Sequence, residues 1–155
     1  MNREDRRYAF LYCKFRDDQY ALYDEWAKRN GLLMNTFLVM NTLFYAKEGM
    51  TQKQVCDTVH LSKQTVSLII KNLVRDGNVE FETDPSDGRS ALVQMTEAGR
   101  LQAEGPVRHI TWAEDTAMSM LTPEEQEQLV TLSRRFTQHL TELVRGAGNT
   151  VTETG

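Results

Sequence analysis

At 155 residues the chain is about the size of one domain and long enough to bury around two thirds of its unfolded surface. With 40% hydrophobic and 26% charged residues its composition excludes a wholly disordered chain, and only 3 prolines and 9 glycines argue against an all-β sandwich and for long helices. A formal net charge of −4 argues against a general nucleic-acid coat protein.

The start, Met1 to Arg7, mixes Arg3, Arg6 and Arg7 with Glu4 and Asp5 and leads into no apolar run, so no secretory signal is expected there and the protein is expected in the cytoplasm. Arg3 to Arg29 places Tyr8, Leu11, Tyr12, Phe15, Leu22 and Trp26 at helical spacing, which predicts an amphipathic helix docked on its own domain or on a partner. Asn30-Gly31 reads as its C-cap. Leu32 to Tyr45 follows as a buried helix; the uncharged stretch Asn30 to Ala46 carries Asn35, Thr36, Asn41 and Thr42 and falls short of the about 20 apolar residues of a membrane span.

Thr51-Gln-Lys-Gln54 has the form of a capping box and predicts a short helix to Val59. His60-Leu61 then turns the chain into Ser62, a second N-cap, and a helix to Asp76-Gly77. Two short capped helices joined by about three residues spell a helix-turn-helix. Val79 to Thr83 and Ala91 to Met95 are predicted strands of a β-hairpin, with the turn-rich Asp84-Pro-Ser-Asp-Gly-Arg89 as its tip. Thr96 opens a helix expected to kink or break at Gly105-Pro106. Thr122-Pro-Glu-Glu125 opens a last helix to Arg145-Gly146, and residues 147–155 form a loose tail.

Charge is unevenly placed. No acid lies between Thr58 and Arg75, where Lys63, Lys71 and Arg75 stand, whereas from Thr96 onward 5 basic residues face 9 acidic ones. Such a chain suits contact with a polyanion at one place. At about 100 degrees per residue, Val66, Ile69, Ile70, Leu73 and Val74 form the core stripe of the second short helix. Gln64, Leu68, Lys71 and Arg75 lie opposite, flanked by Thr65, Ser67 and Asn72. Gln pairs bidentately with adenine, Lys with guanine or phosphate, and Ser or Thr with either. The helix start beside Lys63 offers free amides to a phosphate. Leu68 is the exception on this face: it either packs on a thymine methyl group or is covered by a neighbouring element.

Three fragments in order, Leu61-Ser-Lys-Gln-Thr-Val-Ser-Leu-Ile-Ile-Lys-Asn-Leu-Val-Arg-Asp-Gly77, Asp84-Pro-Ser-Asp-Gly-Arg-Ser90 and Met95-Thr-Glu-Ala-Gly99, carry a resemblance. With the element order around them, the chain resembles, over nearly its whole length, the MarR (multiple antibiotic resistance regulator) family of winged helix-turn-helix transcription factors. The resemblance implies a mainly α fold with a small β-hairpin, in one domain over 1–155. Residues 1–30 and 97–146 would be dimerisation helices and 32–95 the DNA-binding lobe. It implies a homodimeric, ligand-responsive repressor or activator of double-stranded DNA, with no cofactor and no membrane partner. Ser62, Lys63, Gln64, Thr65, Ser67, Leu68 and Lys71 would enter the major groove; Asp87-Gly-Arg89 matches the family's Asp-x-Arg wing motif, Arg89 entering the minor groove and Asp87 aiming it. Related recognition helices carry a polar or basic residue at the place of Leu68.

An effector pocket between the dimer helices and the lobe, implied by the same resemblance, has Tyr12, Arg16, Trp26, Phe37, Met40 and Trp112 as candidate lining residues, although aromatic and Met residues at helical spacing are more often core. Cys56 and His60, four apart, are two of the ligands a zinc site needs, and the remaining histidines, His109 and His139, lie in the terminal helices, so no metal site is expected and Cys56 is read as a core thiol. Cys13 lies where peroxide-sensing relatives carry a reactive thiol, with Lys14 and Arg16 near it. The chain contains no phosphate-binding glycine loop, Gly-x-Ser-x-Gly elbow or His-Glu-x-x-His pair, so no enzyme is expected. The rival readings are a winged-helix module that binds protein, with acidic Glu80, Glu82 and Asp84 on its wing, and a metal- or redox-responsive regulator.

Overall fold

A computed structural model describes residues 2–83 and 91–146. The chain divides into two compact units, Met1–His109 and Ile110–Gly155.

The first unit opens with α1 (Arg3–Arg29), the span its periodicity predicts, capped by the Asn2 side chain accepting from the Glu4 amide. It ends as its last residues dictate: the Gly31 amide donates to Lys28 and the Leu32 amide to Ala27, the paired bonds of a Schellman close. Of α1's apolar residues only Ala27 is buried, while Tyr8, Phe10, Phe15, Tyr20 and Leu22 stand in solvent. α2 (Met34–Tyr45) is the buried helix, with Phe37, Val39, Met40 and Leu43 all in the core.

Met50–Thr51 forms a strand, β1, that the sequence does not announce, because two residues carry no alternation. Thr51 pairs with Leu92 and in the same place caps α3 (Gln52–Val59): its hydroxyl accepts from the Gln54 amide at 3.2 Å, and Gln54 Oε1 accepts from the Thr51 amide at 2.7 Å. α4 (Lys63–Arg75) follows after His60, whose φ of 54° makes the turn. β2 (Val79–Thr83) and β3 (Ala91–Met95) pair antiparallel from Val79↔Met95 to Thr83↔Ala91, giving a three-stranded sheet ordered β1-β3-β2. Leu43, Val55, Val66, Ile70, Val79, Val93 and Val107 are fully buried and form the core on which α4 rests.

α5 (Glu97–Ser119) runs from the first unit into the second, and no break occurs at Gly105-Pro106. Proline there removes one donor and crowds the carbonyl four residues back, at a cost of about 3 kcal/mol. Burial of Ala103 and Val107 on either side outweighs the local rule.

In the second unit α6 (Pro123–Gly146) begins at the expected capping box, the Thr122 amide donating to Glu125 Oε2 at 2.8 Å and the Glu125 amide to Thr122 Oγ1 at 3.3 Å. Gln126 Nε2 donates to the Met118 and Leu121 carbonyls and holds the turn between the helices. Nothing on α6 is buried within the single chain; Leu129, Leu132, Leu140 and Leu143 are all exposed along it.

Candidate nucleic-acid interface

The amphipathic pattern of α4 places its two faces as read from the sequence, with one difference. Val66, Ile69, Ile70 and Leu73 are buried, whereas Val74, at the edge of the predicted core stripe, is 37% exposed. On the opposite side Lys63, Gln64, Ser67, Leu68, Lys71 and Arg75 are all exposed.

Ser62 fixes where the helix starts. Its Oγ accepts from the Thr65 amide at 3.1 Å and lies 2.8 Å from the Thr65 hydroxyl, so Thr65, half-buried, is committed to the cap as well as to the face. The amides of the first turn before Thr65 point outward beside Lys63, the electrostatic arrangement that receives an anion. The charges on this surface differ in freedom. Lys53 on α3 is held above the ordinary lysine pKa by a hydrogen bond from its ammonium to Asp57 and by the Asp57 charge, and Arg75 Nε donates to Asp76 at 3.0 Å. Among the described residues no carboxylate pairs with Lys63 or Lys71.

Glu80 and Glu82 project from β2, so the described part of the hairpin is acidic. Asp87 and Arg89 lie outside the described residues.

Beyond the recognition face, the motif Thr96-Glu-Ala-Gly99 acquires a physical role that periodicity does not reveal. Thr96 Oγ1 donates to the Gly77 carbonyl at 2.7 Å and accepts from the Gly99 amide at 3.0 Å, while the Thr96 amide donates to the Asn78 carbonyl at 3.1 Å. The first turn of α5 is therefore bonded to the residues that close α4. One turn later Arg100 Nη1 donates to the Phe44 carbonyl at 3.0 Å, covering an end carbonyl of α2.

The six residues read as possible effector contacts do not share one environment. Phe37 and Met40 are buried, with α2 buried on most sides. Trp26 is half-buried, edge-on to Phe37 at 4.8 Å and parallel to His109 at 6.1 Å. Tyr12 and Arg16 are exposed on α1, the Arg16 guanidinium bonded to Asp17, which raises its pKa. Trp112 is exposed on the second unit. A shallow cleft of about 350 Å³ lies elsewhere, beside α4, with Tyr20, Asp24, Leu33, Leu68 and Asn72 among its lining residues.

Cys56 is half-buried instead of core, and Cys13 is half-buried; both are free thiols. His60, in its left-handed turn, leaves the helical face that the four-residue spacing to Cys56 assumed. No group of three or more His, Cys, Asp or Glu able to hold a metal occurs among the described residues. Nor, among them, is any helix long and apolar enough to cross a membrane.

Comparison with known proteins agrees with this geometry. Residues 34–99 match the family model described as a winged helix DNA-binding domain. The helix-turn-helix-type transcriptional regulator YkoM of Bacillus subtilis is 30% identical over 119 residues, 74% of this chain and 75% of that one. AbsC, a MarR family transcriptional regulator from Streptomyces coelicolor, superposes with a TM-score of 0.75 at 18% identity over 90% of this chain and 96% of that one. MepR of Staphylococcus aureus in its DNA complex superposes with a TM-score of 0.69 at 21% identity, over 86% of this chain and 97% of that one.

Proposed function

The chain belongs to the MarR family of winged helix-turn-helix transcriptional regulators, and we propose that it acts as a homodimeric repressor which lays Ser62 to Lys71 of each subunit into successive major grooves of a pseudo-palindromic operator. The observation that carries this reading is the exposed ridge Gln64–Leu68–Lys71 on a helix whose start is fixed by Ser62 and whose other face buries Val66, Ile69, Ile70 and Leu73. Its residue types match the donors and acceptors of base edges and phosphates. The neighbouring MepR is a DNA complex with the same fold, which supports the docking mode. Arg89, aimed by Asp87, reaches the flanking minor groove in this reading.

Dimer formation is supported by the apolar side chains that a single chain leaves in water: Tyr8, Phe15 and Leu22 on α1, and Leu132, Leu140 and Leu143 on α6. Residues 1–30 and 97–146 supply the dimer helices and 32–95 the DNA-binding lobe. A two-fold axis then requires half-sites one helical turn, about 34–36 Å, apart. A small ligand meeting aromatic groups such as the exposed Tyr12 or the half-buried Trp26 would act by favouring dimers whose recognition helices miss that spacing. The role is regulatory rather than catalytic, exercised in the cytoplasm where chromosomal duplex lies.

The test is fluorescence anisotropy of the purified protein on random duplex across a salt series. Binding that weakens steeply as salt rises supports the reading, because phosphate contacts release counterions. No binding at low salt overturns it in favour of a module whose acidic wing, with Glu80 and Glu82, meets protein.

A further inference from the structure

Leu68 is 61% exposed at the centre of the recognition ridge, and the structure thereby removes one of the two readings its sequence position allows. Among the described residues no element covers it: it lines a cleft together with Tyr20 and Leu33, and both of those are themselves exposed. Its neighbours on the face, Gln64, Ser67 and Lys71, are polar, so along α4 it is a single apolar point within a hydrogen-bonding surface.

Resting on the DNA-binding reading above, we propose that Leu68 is a specificity-determining residue that reads the 5-methyl group of one thymine in each half-site. The chemistry is selective, because among the edges that base pairs present in the major groove the thymine methyl is the apolar feature, whereas guanine, adenine and cytosine offer donors and acceptors that a leucine would strip of water without replacing. The position is defined too. Gln64, Leu68 and Lys71 rise along the helix by about 10.5 Å, which matches about three base-pair steps. The thymine therefore lies within one or two steps of the base that Gln64 contacts, in each half-site alike.

The experiment uses the full chain and a duplex that it selects from a random pool. Each thymine of a half-site is replaced singly by deoxyuridine, which removes the methyl group and leaves every donor and acceptor in place. At one position per half-site the wild-type protein should lose affinity about fourfold, the worth of one buried methyl group, and twice that factor in logarithm when both half-sites are changed. Leu68→Ala should bind thymine and deoxyuridine equally at that position, Leu68→Met should keep the discrimination, and both should give the wild-type circular dichroism spectrum, since the side chain is outside the core.

Selective binding with no deoxyuridine-sensitive position, or with Leu68→Ala as sensitive as wild type, overturns the proposal and leaves the DNA-binding reading standing. It would assign the leucine to a protein or ligand seated on the cleft. Failure to select any duplex overturns both.

Discussion

A Cβ built on Gly99 would lie 1.9 Å from the carbonyl oxygen of Asn78, so the first turn of α5 rests directly on the backbone that closes the recognition helix. The close approach is what allows Thr96 to bond both Gly77 and Asn78, and it makes the orientation of α4 and the start of α5 one rigid feature. Gly77 itself, at φ 75°, supplies the left-handed turn between them.

Gly99→Ala therefore forces backbone against backbone, with no flexible side chain to yield. We expect a loss of about 3 kcal/mol, the upper part of the range for overpacking, read as a lower urea midpoint. An unchanged midpoint would mean that the junction is looser than the structure shows.

Ser62 separates stability from recognition. Ser62→Ala removes the cap and should cost about 1 kcal/mol, whereas Ser62→Asp keeps an acceptor for the Thr65 amide and should unfold close to wild type. Both should weaken duplex binding, the aspartate more, because it sets a negative charge where a phosphate is expected. Thermal unfolding beside anisotropy checks the pair; an aspartate variant that binds as tightly as wild type would place the phosphate elsewhere.

Lysines on neighbouring helices should differ in their salt signatures. Lys63→Gln and Lys71→Gln should each reduce the slope of log affinity against log salt by about 1. Lys53→Gln should leave it nearly unchanged, since that ammonium is already held by Asp57 at 2.6 Å. The plot of the four proteins side by side decides it.

Leu132→Glu with Leu143→Glu places two charges on the exposed apolar face of α6, and sedimentation equilibrium should then report monomer where the wild type reports dimer. The double variant should also lose operator binding. Operator affinity that survives in a monomer would contradict the two-fold arrangement.

The elements whose ends are set by local chemistry were legible from the chain. Thr51, Ser62 and Thr122 each cap a helix at the predicted residue, because a side-chain oxygen three residues before an amide is a property of sequence alone. Where long-range burial decides, reading from residues reaches its limit. Pro106 signals a break, and packing of Ala103 and Val107 carries the helix through it. β1 exists because β3 offers Val93 and Leu92 as partners, not because Met50-Thr51 has strand character. Phe37 and Met40 read more as core than as pocket in sequence, and their burial is set by the placement of α2. For the recognition face the ridge was readable from periodicity, while the exposure of Leu68 was not, since it depends on where the neighbouring elements pack.

The central claim is a polar ridge presented in duplicate at the pitch of B-form DNA. Selection from a random duplex pool, followed by footprinting and by sedimentation of the selected complex, tests it most directly. The account predicts an inverted repeat with half-site centres about 10 base pairs apart and two chains per duplex. A single unrepeated site bound by one chain, or a pool with no enriched sequence, would contradict it.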